Sequence, residues 1–409
     1  MNTTRRFLAG ALVAFLALSC RAKEKPASEA SPEASAPKVE KDDTIKVGLI
    51  ASLTGKFSAL GSENKKAVEL AIEQVNAEGG LLGKKLALVT RDDQTLPDQS
   101  VLAYNDIKTS DVVAIIGSAF SNSALATLPL AQRDGVPYLS VNPAEEQVQP
   151  IKPYVFVIPA LSSAYAERYL EYMQAQKIEK IAVAHDTKGA YAVSGYNQMK
   201  SLAPKYGVKI IKDEVFETTT SDFSPLFTHV KGSGAQALVF WGTGPSGVTV
   251  TKQYASANLK IPLFMTPSQA SKLWLDPVGP AGEGVTVLSA IGVVGEHLPD
   301  GAQKKVIERM AAPFRQKYGY EPPQFAQDGY SACLLLFEAI KKAGSTNREK
   351  IQQALENLSV LTPNGKYKYA PTDHSGLTRD FIAVNVVRGG KFVPTDWAKE
   401  KLAKVATAE

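Results

Sequence analysis

A short apolar run and the helix after it set the architecture of this chain. The run is TIKVGLIASLTG at residues 44–55, and an amphipathic pattern over Ser62–Ala77 follows it until Gly79-Gly80 stops the helix. β-Branched residues in a short apolar run favour a buried strand, whereas apolar residues three and four apart favour a helix. A strand followed by a helix is the first unit of a parallel α/β sheet.

The same alternation continues along the chain and occurs in two sets. An extended segment at 154–160 and a helix predicted over 163–176 separate the sets, and each step has the length of a right-handed crossover. We therefore predict the α/β class, with two doubly wound parallel-sheet lobes. The predicted strands are Thr44–Ile50, Lys85–Thr90, Val112–Ile116, Pro137–Val141, Lys180–Ala184, Val208–Lys212, Ala237–Trp241 and Pro262–Met265.

Ligands of open α/β sheets bind at the carboxyl ends of the strands, which makes six loops candidates for a site. These loops are rich in Ser, Thr, Asn and Gly and poor in catalytic pairs, which is typical of a binding cleft. The loop at 242–247 is glycine-rich, but it lacks the lysine of a phosphate-binding loop, and Pro245 breaks the dinucleotide pattern. The six loops are 52–61, 118–123, 142–146, 186–195, 242–247 and 266–271.

The first forty-three residues predict export. Arg5 and Arg6 precede a short apolar run that ends at Ser19-Cys20, as in a cleaved signal peptide covering residues 1–19. The sequence ALSC at 17–20 resembles a bacterial lipobox, which predicts lipid on Cys20. Ala17 stands where a leucine is usual, so an ordinary soluble cut remains the alternative. Residues 20–43 are rich in Pro, Ala, Ser and Glu and predict a disordered tether.

Charge and cysteine content exclude several classes. The formal net charge of +5 falls to +3 without Arg5 and Arg6. The sequence contains no long basic block, which argues against nucleic acid as a partner. Cys333 lies in an apolar helical pattern, where a cysteine usually packs as a small hydrophobe. With Cys20 lipidated, no disulfide forms.

Five motifs in order resemble one family. They are IKVGLI with LTG at 45–55, NAEGGLLGKKL at 76–86, DDQ at 92–94, IGS at 116–118 and GVPYLS at 135–140. The pattern is similar to the leucine-isoleucine-valine type of ABC transporter substrate-binding protein, with a type I periplasmic binding protein fold. The similarity continues to PTDHSGL at 371–377 and so covers nearly the whole mature chain.

The resemblance implies lobes joined by a three-strand hinge. Lobe one would take residues 44–160 and 291–368, and lobe two would take 161–290 and 369–409. The lobes would close on a small solute and deliver it to ABC permease and ATPase subunits. The expected protein is a monomer without cofactor, metal or catalytic residues, at the periplasm or cell surface and held to the membrane by its lipid.

The resemblance also assigns solute contacts. Ser121 matches a serine that holds the ligand carboxylate, Leu60 replaces an aromatic cap, and Ala144 replaces a threonine, so that one hydroxyl is lost. The predicted contacts are Leu60, Ala119, Phe120, Ser121, Asn142, Pro143, Ala144, Tyr191, Gly244, Ser268 and Gln269.

The main departure from the family lies in lobe two. In the family, a glutamate pairs with the ligand's ammonium, and the matching residue here is Ser268, beside Gln269. A tyrosine of the family is matched by Gly244. A cationic amine buried without a carboxylate would be costly. The predicted solute bears a carboxylate and is either an amino acid or, as the missing glutamate suggests, an aromatic or other organic acid without an α-amino group.

Several residues have a plainer interpretation. Ser121 at a strand-to-helix junction is also suited to capping the helix. Asp92-Asp93 favours a turn or hinge, and His185 a structural role. Trp241 is suited to stacking on the solute in the cleft, with core packing as the alternative. Two other functions remain open: an extracytoplasmic sensor of the same fold, and an enzyme, for which no nucleophile–base pair is visible in the sequence.

Overall fold

The computed structural model describes residues 43–407. The predicted signal peptide, the lipidated Cys20 and all but the last residue of the predicted tether lie outside the described residues. Within residues 43–407, no helix combines the length and the apolar character needed to cross a bilayer.

The first lobe is built on a five-stranded parallel sheet in the order β2-β1-β3-β4-β5. Its inner strands are almost fully buried, because helices cover both faces. The four strands predicted in this half are confirmed, and the extended segment after them adds a fifth. The strands are β1 Ile45–Ala51, β2 Leu86–Asp92, β3 Ala114–Gly117, β4 Tyr138–Ser140 and β5 Val155–Val157.

Three helices connect these strands: α1 Ser58–Ala77, α2 Pro97–Lys108 and α3 Ser121–Asp134. The helix α1 begins four residues before its predicted start. Its first turn lies against the end of β1, where a Cβ atom on Gly61 would stand 2.1 Å from the carbonyl oxygen of Ser52. A glycine is therefore required for this close approach of helix to strand.

The second lobe contains a seven-stranded sheet in the order β14-β13-β10-β9-β8-β6-β7. Strands β6 to β10 are parallel, whereas β13 and β14 return from the C-terminus and pair antiparallel at one edge. The strand predicted over Val208–Lys212 runs on to Phe216. The strands are β6 Lys180–Asp186, β7 Lys209–Phe216, β8 Ala237–Trp241, β9 Leu263–Met265, β10 Thr286–Ala290, β13 Ile382–Arg388 and β14 Lys391–Pro394.

Helices surround this sheet and extend the first lobe. Those of the second lobe are α4 Ser162–Ala175, α5 Ala190–Leu202, α6 Ser224–Val230, α7 Pro245–Ala257, α8 Lys272–Val278 and α12 Asp396–Ala406. Between β10 and β13 come α9 Ala302–Tyr318, α10 Gln324–Ala343, α11 Arg348–Leu355 and a hairpin of β11 Ser359–Thr362 with β12 Gly365–Lys368. Helix α10 packs along α1, and Cys333 is fully buried there, as predicted.

The chain passes between the two lobes three times: between β5 and β6, between β10 and α10, and between β12 and β13. Hydrogen bonds join the first and third crossings, since Tyr369 Oη donates to the Val157 carbonyl (2.9 Å) and Val157 N to the His374 carbonyl (2.8 Å). The two-lobed α/β fold is as predicted. The exact lobe boundaries stay a prediction, because one apolar cluster joins Ile291 and Ile307 to Leu402.

Candidate functional site

A cavity lies where the carboxyl ends of the strands of both sheets meet. Its empty space is about 630 Å³, counting the part that opens to solvent. The lining residues come from the carboxyl ends of β1 and of β3 to β9 with the loops that follow them, and from the starts of α3, α4, α5 and α10. They are Phe57, Ala119, Phe120, Ser121, Val141, Pro143, Pro159, Tyr165, Asp186, Gly189, Ala190, Tyr191, Ala192, Thr218, Thr243, Pro267, Ser268, Gln324, Phe325 and Asp328.

The N-terminus of α3 meets this cavity at Ser121. Ser121 is the first helical residue, and the N-cap position belongs to Phe120, which makes no side-chain capping bond. The capping role considered for Ser121 is therefore not observed. An uncapped first turn presents backbone N–H groups and the positive end of the helix dipole, both of which favour an anion.

Three phenylalanines form an apolar wall of the cavity. The rings of Phe57 and Phe120 lie 5.0 Å apart, and Phe325 from α10 joins them in one cluster with Leu60. Phe57 and Phe325 were not predicted as site residues. Phe57 stands three residues before Leu60, within the candidate loop predicted over 52–61, whereas no local motif indicated Phe325, because α10 follows much later in the chain.

The loops behind this wall are held by Asp92 and Asp93. Asp92 Oδ2 accepts from Thr54 Oγ1 (2.6 Å), and Asp93 Oδ1 accepts from Ser52 Oγ (2.6 Å). Asp93 also accepts from Ser118 Oγ. These carboxylates therefore fix the loops after β1 and β3, which agrees with their predicted structural role.

Asp186 organises the wall from the second lobe. Its Oδ1 accepts from Lys188 N (2.8 Å) and its Oδ2 from Thr218 Oγ1 (2.5 Å). Lys56 of the first lobe donates to the Thr218 carbonyl and lies near Asp186; burial lowers the pKa of Lys56, and Asp186 opposes that shift.

Aromatic and imidazole groups sit behind this wall. Trp241 is fully buried and does not line the cavity; it packs edge-on under Tyr191, which does, with the ring centroids 5.6 Å apart. His185 stacks on Tyr196 and does not line the cavity, and burial lowers the pKa of His185. His185 thus has the structural role that the sequence favoured, and Trp241 packs in the core, which was the alternative for this residue.

Asn122 spans the cleft with its amide group. Its Oδ1 accepts from Ala190 N (2.9 Å) and its Nδ2 donates to the Lys188 carbonyl (3.0 Å). Since Asn122 is the second residue of α3 and the two backbone groups lie at the start of α5, this pair of bonds joins the lobes directly.

The family can now be stated. The model of the periplasmic binding protein family matches residues 44–391. The chain belongs to this family. Its members are extracytoplasmic solute-binding proteins.

Curated relatives of this periplasmic binding protein are named as leucine-, isoleucine- and valine-binding proteins, in one case also as threonine- and alanine-binding. The leucine-, isoleucine-, valine-, threonine- and alanine-binding protein of Pseudomonas aeruginosa is 26% identical over 350 residues, which cover 83% of this chain and 88% of that protein.

Two solved structures share the fold and differ in their ligands. LivJ of Streptococcus pneumoniae, in complex with isoleucine, has a TM-score of 0.75 and 22% identity, covering 85% of this chain and 97% of its own. A solute-binding protein of Rhodopseudomonas palustris, in complex with benzoate, has a TM-score of 0.75 and 22% identity, covering 86% of this chain and 95% of its own.

The structure brings together six of the predicted contacts in this periplasmic binding protein: Ala119, Phe120, Ser121, Pro143, Tyr191 and Ser268. Leu60, Gly244 and Gln269 line a neighbouring cavity instead, which Phe57 and Ser268 share with the first. Asn142 and Ala144 are buried and line neither cavity; Asn142 Nδ2 donates to the Ser118 carbonyl (3.1 Å) and so supports the loop.

Proposed function

We propose that this periplasmic binding protein is the solute receptor of an ABC importer of the branched-chain amino acid type. Its two lobes would close on a small solute that bears a carboxylate, either an amino acid or an aromatic or other organic acid, and would deliver it to the permease and ATPase. The proposal includes no catalytic step.

One observation carries this proposal: a cavity lined by both lobes, with an uncapped helix N-terminus at Ser121 and an aromatic wall beside it. The helix end is suited to a carboxylate and the rings to an apolar body. The isoleucine and benzoate of the two solved structures are both solutes of this kind.

Ser121 and Tyr191 are our leading contacts for the solute. Ser121 would hold the carboxylate from the first lobe, and the ring of Tyr191 would cover the apolar part from the second. Closure requires that ligand contacts favour the closed state, which residues from both walls supply.

We further propose that the mature chain is monomeric and anchored through lipid on Cys20. Cys20→Ala should move the protein from the membrane fraction to the soluble extracytoplasmic fraction, with solute binding unchanged. Retention of the variant in the membrane fraction would contradict the anchor.

A thermal-shift screen of the mature chain tests the solute class. We expect at least one carboxylate-bearing compound, among amino acids, aromatic acids and keto acids, to raise the melting temperature, because a ligand that binds only the folded state stabilises it by mass action. Amides of the same compounds serve as controls without the carboxylate. If the amides stabilise as well as the acids do, the carboxylate assignment is wrong.

A further inference from the structure

A buried carboxylate of the first lobe, that of Asp328, has one oxygen that accepts no hydrogen bond from the described residues. Asp328 lies in the second turn of α10, is 2% exposed and lines the cavity. Gln324 Nε2 (2.9 Å) and Asn364 Nδ2 (2.8 Å) both donate to its Oδ1. Among residues 43–407, no hydrogen-bond donor reaches Oδ2.

The surroundings of Asp328 supply no positive charge. Of the described residues that line this cavity, none is Lys, Arg or His, and Asp186 is the other charged side chain. Lys56 lines the neighbouring cavity and is engaged by the Thr218 carbonyl. Both carboxylates therefore favour a cation, and Asp328 is the one with an oxygen free to receive it.

The pKa of Asp328 is raised in these surroundings, which lack a positive charge. Burial raises the pKa of Asp328 to about 7, against the opposing effect of the Asn364 and Gln324 amides. The titratable groups that face it, Tyr165 and Tyr367, stay neutral because burial holds their pKa values well above the ordinary value. A buried carboxylate of this kind is stabilised by a cation at hydrogen-bonding distance.

We propose that the solute carries an amino group and that Asp328 Oδ2 receives it. Asp328 would thus replace the glutamate whose position is held by Ser268, with the carboxylate supplied from the opposite lobe. This inference rests on the proposed function, because it adds an amino group to a solute already assigned a carboxylate. It replaces the sequence-based expectation of a solute without an amino group.

The arrangement has a mechanistic consequence. Ser121 and Asp328 both belong to the first lobe, since α10 packs on α1. That lobe would hold both the carboxylate and the amino group of a zwitterion before closure. The second lobe would then cover the complex with Tyr191 and the Asp186 loop.

The test uses matched pairs of probes that differ only in the amino group: L-leucine with isocaproate, L-valine with isovalerate and L-phenylalanine with hydrocinnamate. Isothermal titration of the mature chain at pH 8 should show one amino acid binding at least tenfold more tightly than its deaminated partner. If the deaminated acids bind as tightly as the amino acids, the inference is overturned while the carboxylate assignment stands. If neither kind binds, the proposed solute class fails, and the inference fails with it.

Asp328→Asn then assigns the contact. The variant should lose at least tenfold in affinity for the amino acid but retain affinity for the deaminated partner, which also shows that its cavity is folded. Equal affinity of the variant and the wild type for the amino acid would overturn the role of Asp328.

A pH titration of the wild type gives a readout that does not depend on the variant. The amino group of the solute binds only to ionised Asp328. At lower pH Asp328 is protonated and must first lose its proton, so the affinity should fall as the pH is lowered from 8 to 5.5. If Asp328 instead donated a proton to a ligand carboxylate, the affinity would rise over the same range. A rise or a flat profile therefore contradicts the proposal.

Discussion

The two walls of the cavity each contain a buried carboxylate, and the two carboxylates differ in the hydrogen bonds that they accept. In the second lobe, both oxygens of Asp186 accept hydrogen bonds from the protein, from Lys188 N and Thr218 Oγ1. In the first lobe, both donors to Asp328 share one oxygen. A carboxylate satisfied by its own loop holds that loop in shape, whereas a half-satisfied one is available to a ligand. The contrast separates a positioning group from a binding group.

The largest expected effect is on the pH dependence of stability at Asp328. Its pKa in the folded state, about 7, lies above the ordinary value, so the folded protein keeps a proton that the unfolded chain has already lost. The contribution of Asp328 to the free energy of unfolding therefore falls as the pH rises from about 4 to 7. Asp328→Asn removes this dependence, at roughly 1.4 kcal/mol per pH unit.

Urea unfolding of the ligand-free protein from pH 4 to 8 measures this difference. The stability of Asp328→Asn relative to the wild type should increase across the series and level off above pH 7. If the free energy of unfolding changes with pH in the same way for both proteins, the pKa of Asp328 is not raised in the folded state.

A smaller effect is expected at Asp186, where a substitution should lower the stability of the protein. Asp186→Ala removes the acceptors of Lys188 N and Thr218 Oγ1 and should lower the free energy of unfolding at pH 7 by about 1–3 kcal/mol. Thr218→Val removes only the second bond and should cost about 1 kcal/mol. If Asp186→Ala is as stable as the wild type, the loop does not depend on this carboxylate.

The smallest effect concerns the bonds that join the two walls. Asn122→Ala should weaken solute binding about fivefold, because the closed state loses two hydrogen bonds of modest net strength. Asn76→Ala is the matched control: Asn76 makes the same paired bonds with the backbone of Leu86, but within one lobe. The control should lower stability and leave affinity unchanged.

Isothermal titration and small-angle scattering distinguish the two asparagine variants. Asn122→Ala should also expand the ligand-free protein, as more molecules open. If both variants change affinity equally, the amide of Asn122 acts on stability in general and not on closure.

Sequence patterns predicted most of the sheets and only part of the cavity. β8 is a uniformly apolar run and β1 departs from one only at Lys46, so both strands are evident from the local sequence. Two of the predicted candidate loops follow β3 and β6, and Ser121 and Tyr191 from these loops line the cavity. Phe325 and Asp328 were missed because they belong to a helix that meets the cavity only through its packing on α1.

The relation between Ser268 and Asp328 shows why the rest could not be predicted. Matching residues to a family pattern compares one position at a time, so the loss of a carboxylate at Ser268 predicted the loss of its ligand group. In three dimensions the same cavity receives a carboxylate from the other side. Only the fold brings these positions into one space.

The return of β13 and β14 to the second sheet bears on how the protein is made. The first lobe needs α10, and the second needs strands that begin at Ile382, so neither globule can be completed until nearly all of the polypeptide has been synthesised. A prematurely terminated chain lacking residues after 381 would leave β10 as an open sheet edge, prone to aggregation. The interleaved order of the chain thus makes the completion of both lobes depend on residues that are synthesised late.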